Sequence, residues 1–465
     1  MPKKQLLTAL LSLTLLALVG GCSPNDPLAN RSDTTDRNTS ESSAQNQRSE
    51  VDFSVENAPA PTPSKPSQPL TAPPGNPEPK TNSQIQDYIK NIAVRGFAQN
   101  RQGVWIQSPD RLLANHQGTV PLPAASVTKV ATTLAALKTF SPTHQFVTNI
   151  GITGLIENGV LKGDLIVQGG EDPLFVWEEA IALGNTLNQL GIKRVAGNLV
   201  IVGKFYMNFE FDPLASGTLL QQGMNSRIWP VEAETQYQTL PPDTPRPQVI
   251  FDNGVKVIPS APVALQPLVR HNSKPLGELV KLMNMYSNNY MAQMLADSVG
   301  GANAVAQIAA DAAGIPRSEI QLINGSGLGE ANRISPRAAC GMFLALDRVV
   351  TPYNMTLADV VAIVGQDLGV LKNRQALKLS VIKTGTLNNV SSLAGVIPNQ
   401  KHGQVCLAII NSGRGATQFR DEQDALVTRL LSQWGTVSTP PAKLKPTSWQ
   451  KGRTSGNEIV KKESN

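Results

Sequence analysis

Two periods of hydrophobic and polar positions run along this chain, and the switches between them divide it. Apolar residues at helical spacing mark helices over 84–92, 126–140, 177–190, 275–298, 301–313, 336–349, 355–365 and 418–434. Strand-like apolar runs mark 103–107, 112–115, 146–152, 159–167, 195–202, 377–386, 391–397 and 404–411. The first two of these form a pair joined by Ser108-Pro109-Asp110, a turn sequence. Residues 208–270 carry many prolines and no clear period, so the pattern places no element there. Helices at both ends of the order, strands late and a strand-rich block in the middle predict an α/β (α+β) fold. Residues 83–145 and 271–437 form its main domain, and 146–270 an inserted module. No internal repeat is visible.

The two ends depart from these patterns. Lys3 and Lys4 precede an apolar run over 6–19, then Val19-Gly20-Gly21-Cys22. A basic start, an apolar centre and small residues before a cut describe a secretory signal over 1–22, and the run is short for a membrane span. A cysteine after small residues resembles a bacterial lipobox, which would make Cys22 the lipidated first residue of an exported, membrane-anchored protein. Residues 23–82 are rich in Ser, Asn, Pro and Thr with few large apolar groups, so they read as a disordered linker. Residues 438–465 are polar and Lys-rich and read as a disordered tail.

Composition removes several function classes. At 465 residues with 40% hydrophobic and 16% charged content, the chain has ample material for a core. Its net charge of +6 comes from scattered basic residues with no aromatic-interleaved stripe, which argues against a nucleic-acid partner. His116, His144, His271 and His402 are dispersed without ligand spacing, so neither a metal nor another cofactor is called for. Of the cysteines only Cys340, in a helical pattern, and Cys406, in a strand pattern, lie in the folded part, and they read as two free buried thiols.

The chemistry lies in three short motifs in one order: Ser126-Val127-Thr128-Lys129, Ser287-Asn288-Asn289 and Lys383-Thr384-Gly385. Two of these patterns recur. Ser-x-x-Lys also occurs at Ser380 and Ser448, and Ser-x-Asn at Ser23 and Ser455. Context separates the copies. The Ser126 copy opens a predicted helix, where residues three apart share a face and a hydroxyl can meet an amine. The Ser380 copy lies on a strand, where the same offset points to opposite faces. The remaining copies fall in linker and tail. One consistent set remains: a serine with an amine base, a second hydroxyl and amide, and a cationic strand suited to an anion. Lys129 can act as base only if neutral, which requires burial and a nearby like charge, here Lys383.

The order of the motifs resembles the signature of penicillin-binding proteins and class A β-lactamases. Longer segments narrow the resemblance. Pro121-Leu122-Pro123-Ala124-Ala125-Ser126-Val127-Thr128-Lys129, Glu157-Asn158-Gly159-Val160-Leu161-Lys162-Gly163-Asp164-Leu165, Gly170-Glu171-Asp172-Pro173 and Asn324-Gly325-Ser326-Gly327-Leu328 are similar to segments of the class C low-molecular-mass penicillin-binding proteins, the D-alanyl-D-alanine carboxypeptidase/endopeptidases. The likeness spans most of 100–415. Two departures are visible: Gly329-Glu330 stands where the family often has Ser-Arg, and Asn324 where it usually has Asp. The gap between the first two motifs is also shorter than in larger members.

The resemblance implies a penicillin-binding transpeptidase-like/β-lactamase-like catalytic domain and an acyl-enzyme on Ser126, with peptidoglycan stem peptides ending in D-Ala-D-Ala as substrate and β-lactams as covalent inhibitors. Ser287 would relay a proton to the leaving amine, and Asn289 would hold the substrate amide or Lys129. Lys383, Thr384, Gly385 and Thr386 would bind the terminal carboxylate, and the backbone amides of Ser126 and Thr386 would form the oxyanion hole. A β-lactamase, whose first two motifs lie closer together, a non-catalytic envelope binding protein and a tethered adhesion module are the alternatives.

Overall fold

The computed structural model describes residues 70–371, 374–449 and 455–460. The expected signal, Cys22 and the linker up to residue 69 lie outside the described residues. Helix α1 (Pro79–Val94) is followed by strands β1 (Gln102–Gln107) and β2 (Leu112–His116) and by helix α2 (Thr128–Phe140). The chain then enters the module, returns in helices α3 (Leu276–Tyr286), α4 (Asn289–Ser298), α5 (Gly301–Ala313) and α6 (Pro336–Val350), and ends the main domain with strands β3 (Val381–Leu387), β4 (Val390–Asn399) and β5 (Gly403–Ser412) and helix α7 (Ala416–Trp434).

These strands form one antiparallel sheet in the order β3-β4-β5-β1-β2. Helix α6 packs on one face, α1 and α7 on the other. With both faces covered, β4 is buried at every position, its buried polar residues Ser391, Ser392 and Asn399 lying toward the two ends of an apolar stretch over 393–398. Helix α2 lies behind α6 and touches α3, α4 and α5. It is buried from Thr128 through Leu137, so it shows no polar face. Val130 and Leu134 are fully buried, each worth about 1.5–3 kcal/mol of transfer free energy. That packing anchors the helix carrying Lys129.

The module has a six-stranded mixed sheet in which Val255–Ile258, Leu199–Val202, Leu165–Gln168, Val147–Ile152, Gln266–Asn272 and Gly456–Ile459 are successive neighbours. Helices Trp177–Gln189 and Pro213–Gly223 pack together beside it around a second core that includes Leu165, Leu183, Leu199 and Leu220. The unplaced stretch 208–270 thus holds helices and strands. The runs 159–167 and 195–202, each expected as one strand, break at the same level: Asp164 Oδ1 accepts from Asn198 N at 2.6 Å, and Gly163 and Gly197 pack backbone to backbone. Their first halves, Val160–Leu161 and Arg194–Val195, join a separate small sheet.

Four further expectations are corrected. The expected helix 275–298 is two helices, because Ser287 takes the left-handed conformation (φ 56°, ψ 38°) and Asn288 restarts the helix as an N-cap, accepting from Met291 N at 2.9 Å. The expected helix 355–365 is a short 3-10 turn at Leu357–Asp359 followed by an extended run that bonds to the edge of β3, with Ile382 N donating to Ala362 O at 3.1 Å. Cys340 and Cys406 are not free thiols; α6 crosses β5 and they form a disulfide at a Cα separation of 5.8 Å.

The fourth concerns the ends. The expected linker is folded from residue 70, with Gln107 accepting from Ala72 N at 3.2 Å and donating to Leu70 O. The expected disordered tail holds fully buried Leu444, Trp449 packed on Gly277, and strand Gly456–Ile459 paired antiparallel with Gln266–Asn272. A low apolar content conceals these anchors, because each is a single side chain or a backbone ladder added to an existing surface.

Candidate active site

Ser126 sits in the 3-10 turn Ala125–Val127 that leads into α2, directly after Ala125 in a positive-φ conformation (φ 45°). One helical turn on, Lys129 is fully buried, and its Nζ lies 2.9 Å from Ser126 Oγ. The same nitrogen is 2.7 Å from Asn289 Oδ1 and 2.7 Å from the carbonyl oxygen of Ser326. Burial lowers the Lys129 pKa well below the ordinary lysine value, and the positive charge of Lys383 lowers it further. A neutral amine has two N–H donors and one lone pair. With both donors on Asn289 and Ser326, the lone pair is left for the Ser126 hydroxyl.

The break between α3 and α4 places the second motif. Ser287, held left-handed at the end of α3, brings its hydroxyl to 2.9 Å from Lys383 Nζ. Asn289, in the first turn of α4, faces Lys129. A continuous helix would put residues two apart on divergent faces, so the kink is what lets one motif serve two lysines.

The third motif lies on β3, the edge strand of the main sheet. Lys383 is 1% exposed and also donates to Thr384 O at 2.8 Å; burial pushes its pKa down to about 7. Gly385 is required by close approach: a Cβ there would lie 2.6 Å from Ser126 N and 2.5 Å from Ser392 Oγ. Ser392 Oγ in turn donates to Ala124 O at 2.6 Å, tying β4 to the nucleophile turn. Thr384 is half-buried and Thr386 exposed at the end of the strand. The motifs therefore converge: Ser126, Lys129 and Asn289 in one hydrogen-bonded group, Ser287, Lys383 and Thr384 in the other, and Gly385 between them.

Sequence reasoning singled out the segment over 324–328 but missed that it supplies the third partner of Lys129. Asn324 is its knot: Oδ1 accepts from Gly327 N at 2.8 Å and from Ser326 N and Oγ, and Nδ2 donates to Leu328 O at 2.7 Å. Gly327 (φ 82°) lies so close to Ala125 O that any side chain would collide with it. An Asn-Gly-Ser-Gly run signals a turn, but not which carbonyl it presents. Arg420 was also missed; its Nη2 donates to Thr386 Oγ1 at 2.6 Å from α7. Glu330, one of the noted departures, accepts from Asn389 Nδ2 at 3.0 Å, beside the β3–β4 turn. His271 is buried in the module against Asn457, Nδ1 to Oδ1 2.9 Å, away from these groups.

The module reaches this region from one side. Glu171 Oε2 accepts from Ser298 Oγ on α4 at 2.6 Å, and the rings of Phe209 and Phe211 lie 6.2 and 6.3 Å from that of Tyr290, next to Asn289.

A sequence model of the D-Ala-D-Ala carboxypeptidase 3 (S13) family matches residues 84–206 and 249–433. A D-alanyl-D-alanine carboxypeptidase from Actinomadura sp. (strain R39) is 26% identical over 202 residues, 40% of this chain and 37% of that protein. The DacB carboxypeptidase of Haemophilus influenzae is 24% identical over 404 residues, 65% of this chain and 83% of that protein. Among solved structures, a penicillin G-acylated predatory endopeptidase from Bdellovibrio bacteriovorus superposes with a TM-score of 0.64 at 21% identity, covering 77% of this chain and 99% of that one. The fold is thus that of a penicillin-binding, transpeptidase-like catalytic domain with an inserted module. With a match across most of its folded length, the chain belongs to the D-Ala-D-Ala carboxypeptidase 3 (S13) family.

Proposed function

We propose that this protein is a serine D-Ala-D-Ala carboxypeptidase, with endopeptidase action on cross-linked stem peptides, that trims peptidoglycan at the cell envelope and is acylated by β-lactams. The observation that carries the reading is the buried Lys129 amine 2.9 Å from Ser126 Oγ, with Asn289 Oδ1 and Ser326 O on its other side. Ser126 Oγ attacks the carbonyl of the penultimate D-alanine while its proton passes to Lys129. The C–N bond breaks as Ser287 passes a proton to the leaving amine of the terminal D-alanine. Water then adds across the ester, its OH to the acyl group and its proton to Ser126 Oγ.

Backbone amides of Ser126 and Thr386 hold the oxyanion, each worth about 2.7–4 kcal/mol in comparable sites. Lys383, Thr384, Gly385 and Thr386 receive the terminal carboxylate. Export through the signal over 1–22 and a lipid anchor on Cys22 would hold the enzyme at a bacterial membrane, within reach of the wall.

The test is labelling with a fluorescent penicillin. Wild type becomes covalently labelled and Ser126→Ala does not; a wild-type protein that stays unlabelled sinks the acyl-enzyme. Release of D-alanine from a pentapeptide, set beside cleavage of cross-linked dimers, separates the two peptidase activities.

A further inference from the structure

We propose that Arg420 is a substrate-binding residue, its guanidinium taking the carboxylate of the leaving residue together with Thr386. The inference rests on the acyl-transfer reading above and concerns who binds the anion. Arg420 lies near the start of α7, outside all three motifs, and its Nη2 donates to Thr386 Oγ1 at 2.6 Å. That bond occupies a lone pair of the threonine hydroxyl and leaves its O–H free to donate. Thr386 and Arg420 are both exposed, so a ligand can reach them.

Arg420 acts on Asp424 through its charge, but that carboxylate makes its close ion pair elsewhere. Asp424, one turn further along α7, is taken by the Arg374 guanidinium at 2.8 Å. Gln423 accepts from the same Arg374 at 3.4 Å. Among the described residues no carboxylate is paired with Arg420. An arginine fixed at one end by a threonine hydroxyl, with donors to spare, matches the planar two-oxygen geometry of a carboxylate.

Lys383 alone is poorly suited to the same task. Its amine is buried and committed to Ser287 Oγ and Thr384 O. With a pKa near 7 it carries only part of a charge around neutrality, whereas a guanidinium stays charged. The competing account is a solvated surface arginine that happens to touch Thr386. Such a residue would be indifferent to whether the substrate carries a carboxylate.

Two probe pairs make that distinction in the full-length protein: penicillin G against its methyl ester, and an acyl-D-Ala-D-Ala peptide against its terminal amide. Arg420→Ala and Arg420→Gln should lower kcat/KM or the acylation rate for the acids by about 10- to 100-fold, with Arg420→Lys between them and wild type. Rates on the ester and amide should stay within about twofold of wild type. Gln can still donate to Thr386, so recovery in Arg420→Gln would mean that Arg420 only positions the threonine and would overturn the proposal. Equal losses on both members of a pair, or no loss on the acids, would overturn it too. Thermal melting of each variant separates these results from misfolding. If wild type itself is not acylated at Ser126, the acyl-transfer reading fails and this one with it; if it is acylated, only the role of Arg420 is at stake.

Discussion

Lys129 and Lys383 are two lysine amines held in one buried site, and their unequal surroundings assign them different work. Desolvation lowers both pKa values, and Lys129 is lowered further by its neighbour's charge. Of the two, Lys129 is the one that both burial and a like charge push toward the neutral, basic form. Lys383, with a pKa of about 7, is charged below that value and loses its charge as pH rises through it. The cation that helps draw in a carboxylate is thus present on the acid side and lost on the alkaline side. We expect kcat/KM on a carboxylate substrate, which reports the free enzyme, to fall as pH rises past about 7 and to level where Arg420 remains. In kcat the same limb should move to higher pH, since a bound carboxylate stabilises the charged amine. A kcat/KM profile flat from about pH 6 to 9 would contradict this assignment. Both lysines were legible as motif members, and Asn289 was expected on the substrate amide or on Lys129; that the Ser326 carbonyl would take the other donor of Lys129 was not, because a carbonyl on a distant loop leaves no residue-type signal.

At the scale of elements, the site is a junction of one helix start, one helix break and one edge strand. Helix α2 was readable from its spacing and β3 from its apolar run, although β3 begins only at Val381. The break at Ser287 was not, since the apolar period runs through it into α4. Only the Ser-Asn-Asn run, rich in capping residues, hints at a restart. How tightly these elements fit can be tested at Gly385, which meets the Ser126 backbone nitrogen. Gly385→Ala would force β3 away from the nucleophile turn by several tenths of an ångström or more. Since a misplacement of about 1 Å can cost on the order of 100-fold, we expect penicillin acylation to slow by about 10- to 100-fold while the sheet still folds. Stopped-flow acylation with circular dichroism and melting would measure both. An unchanged acylation rate would show that the strand position is not limiting.

Across the whole molecule, segments far apart in sequence are stitched together. The Cys340–Cys406 disulfide joins α6 to β5, Glu171 of the module meets Ser298 of the main domain, and the end of the chain returns to the module sheet. In that last contact Asn457 is the hydrogen-bond partner of buried His271. A chain ending at residue 454 would expose the Gln266–Asn272 edge and orphan the His271 nitrogen, a loss of about 1–3 kcal/mol. It should melt lower by calorimetry yet acylate at the wild-type rate, as should Asn457→Ala to a lesser degree. A tail without effect on melting would make the strand incidental. What is local could be read along the chain: the helical and strand periods, the three motifs in order, and which copy of each motif lies on an element able to use it. Those follow from spacing along one backbone. The disulfide, the strand Gly456–Ile459 on the module sheet, the helix break at Ser287, the Ser326 carbonyl on Lys129 and the arginine at Thr386 emerge only once the chain is folded. Each of these is a contact between segments that carry no mark of one another until the chain has packed.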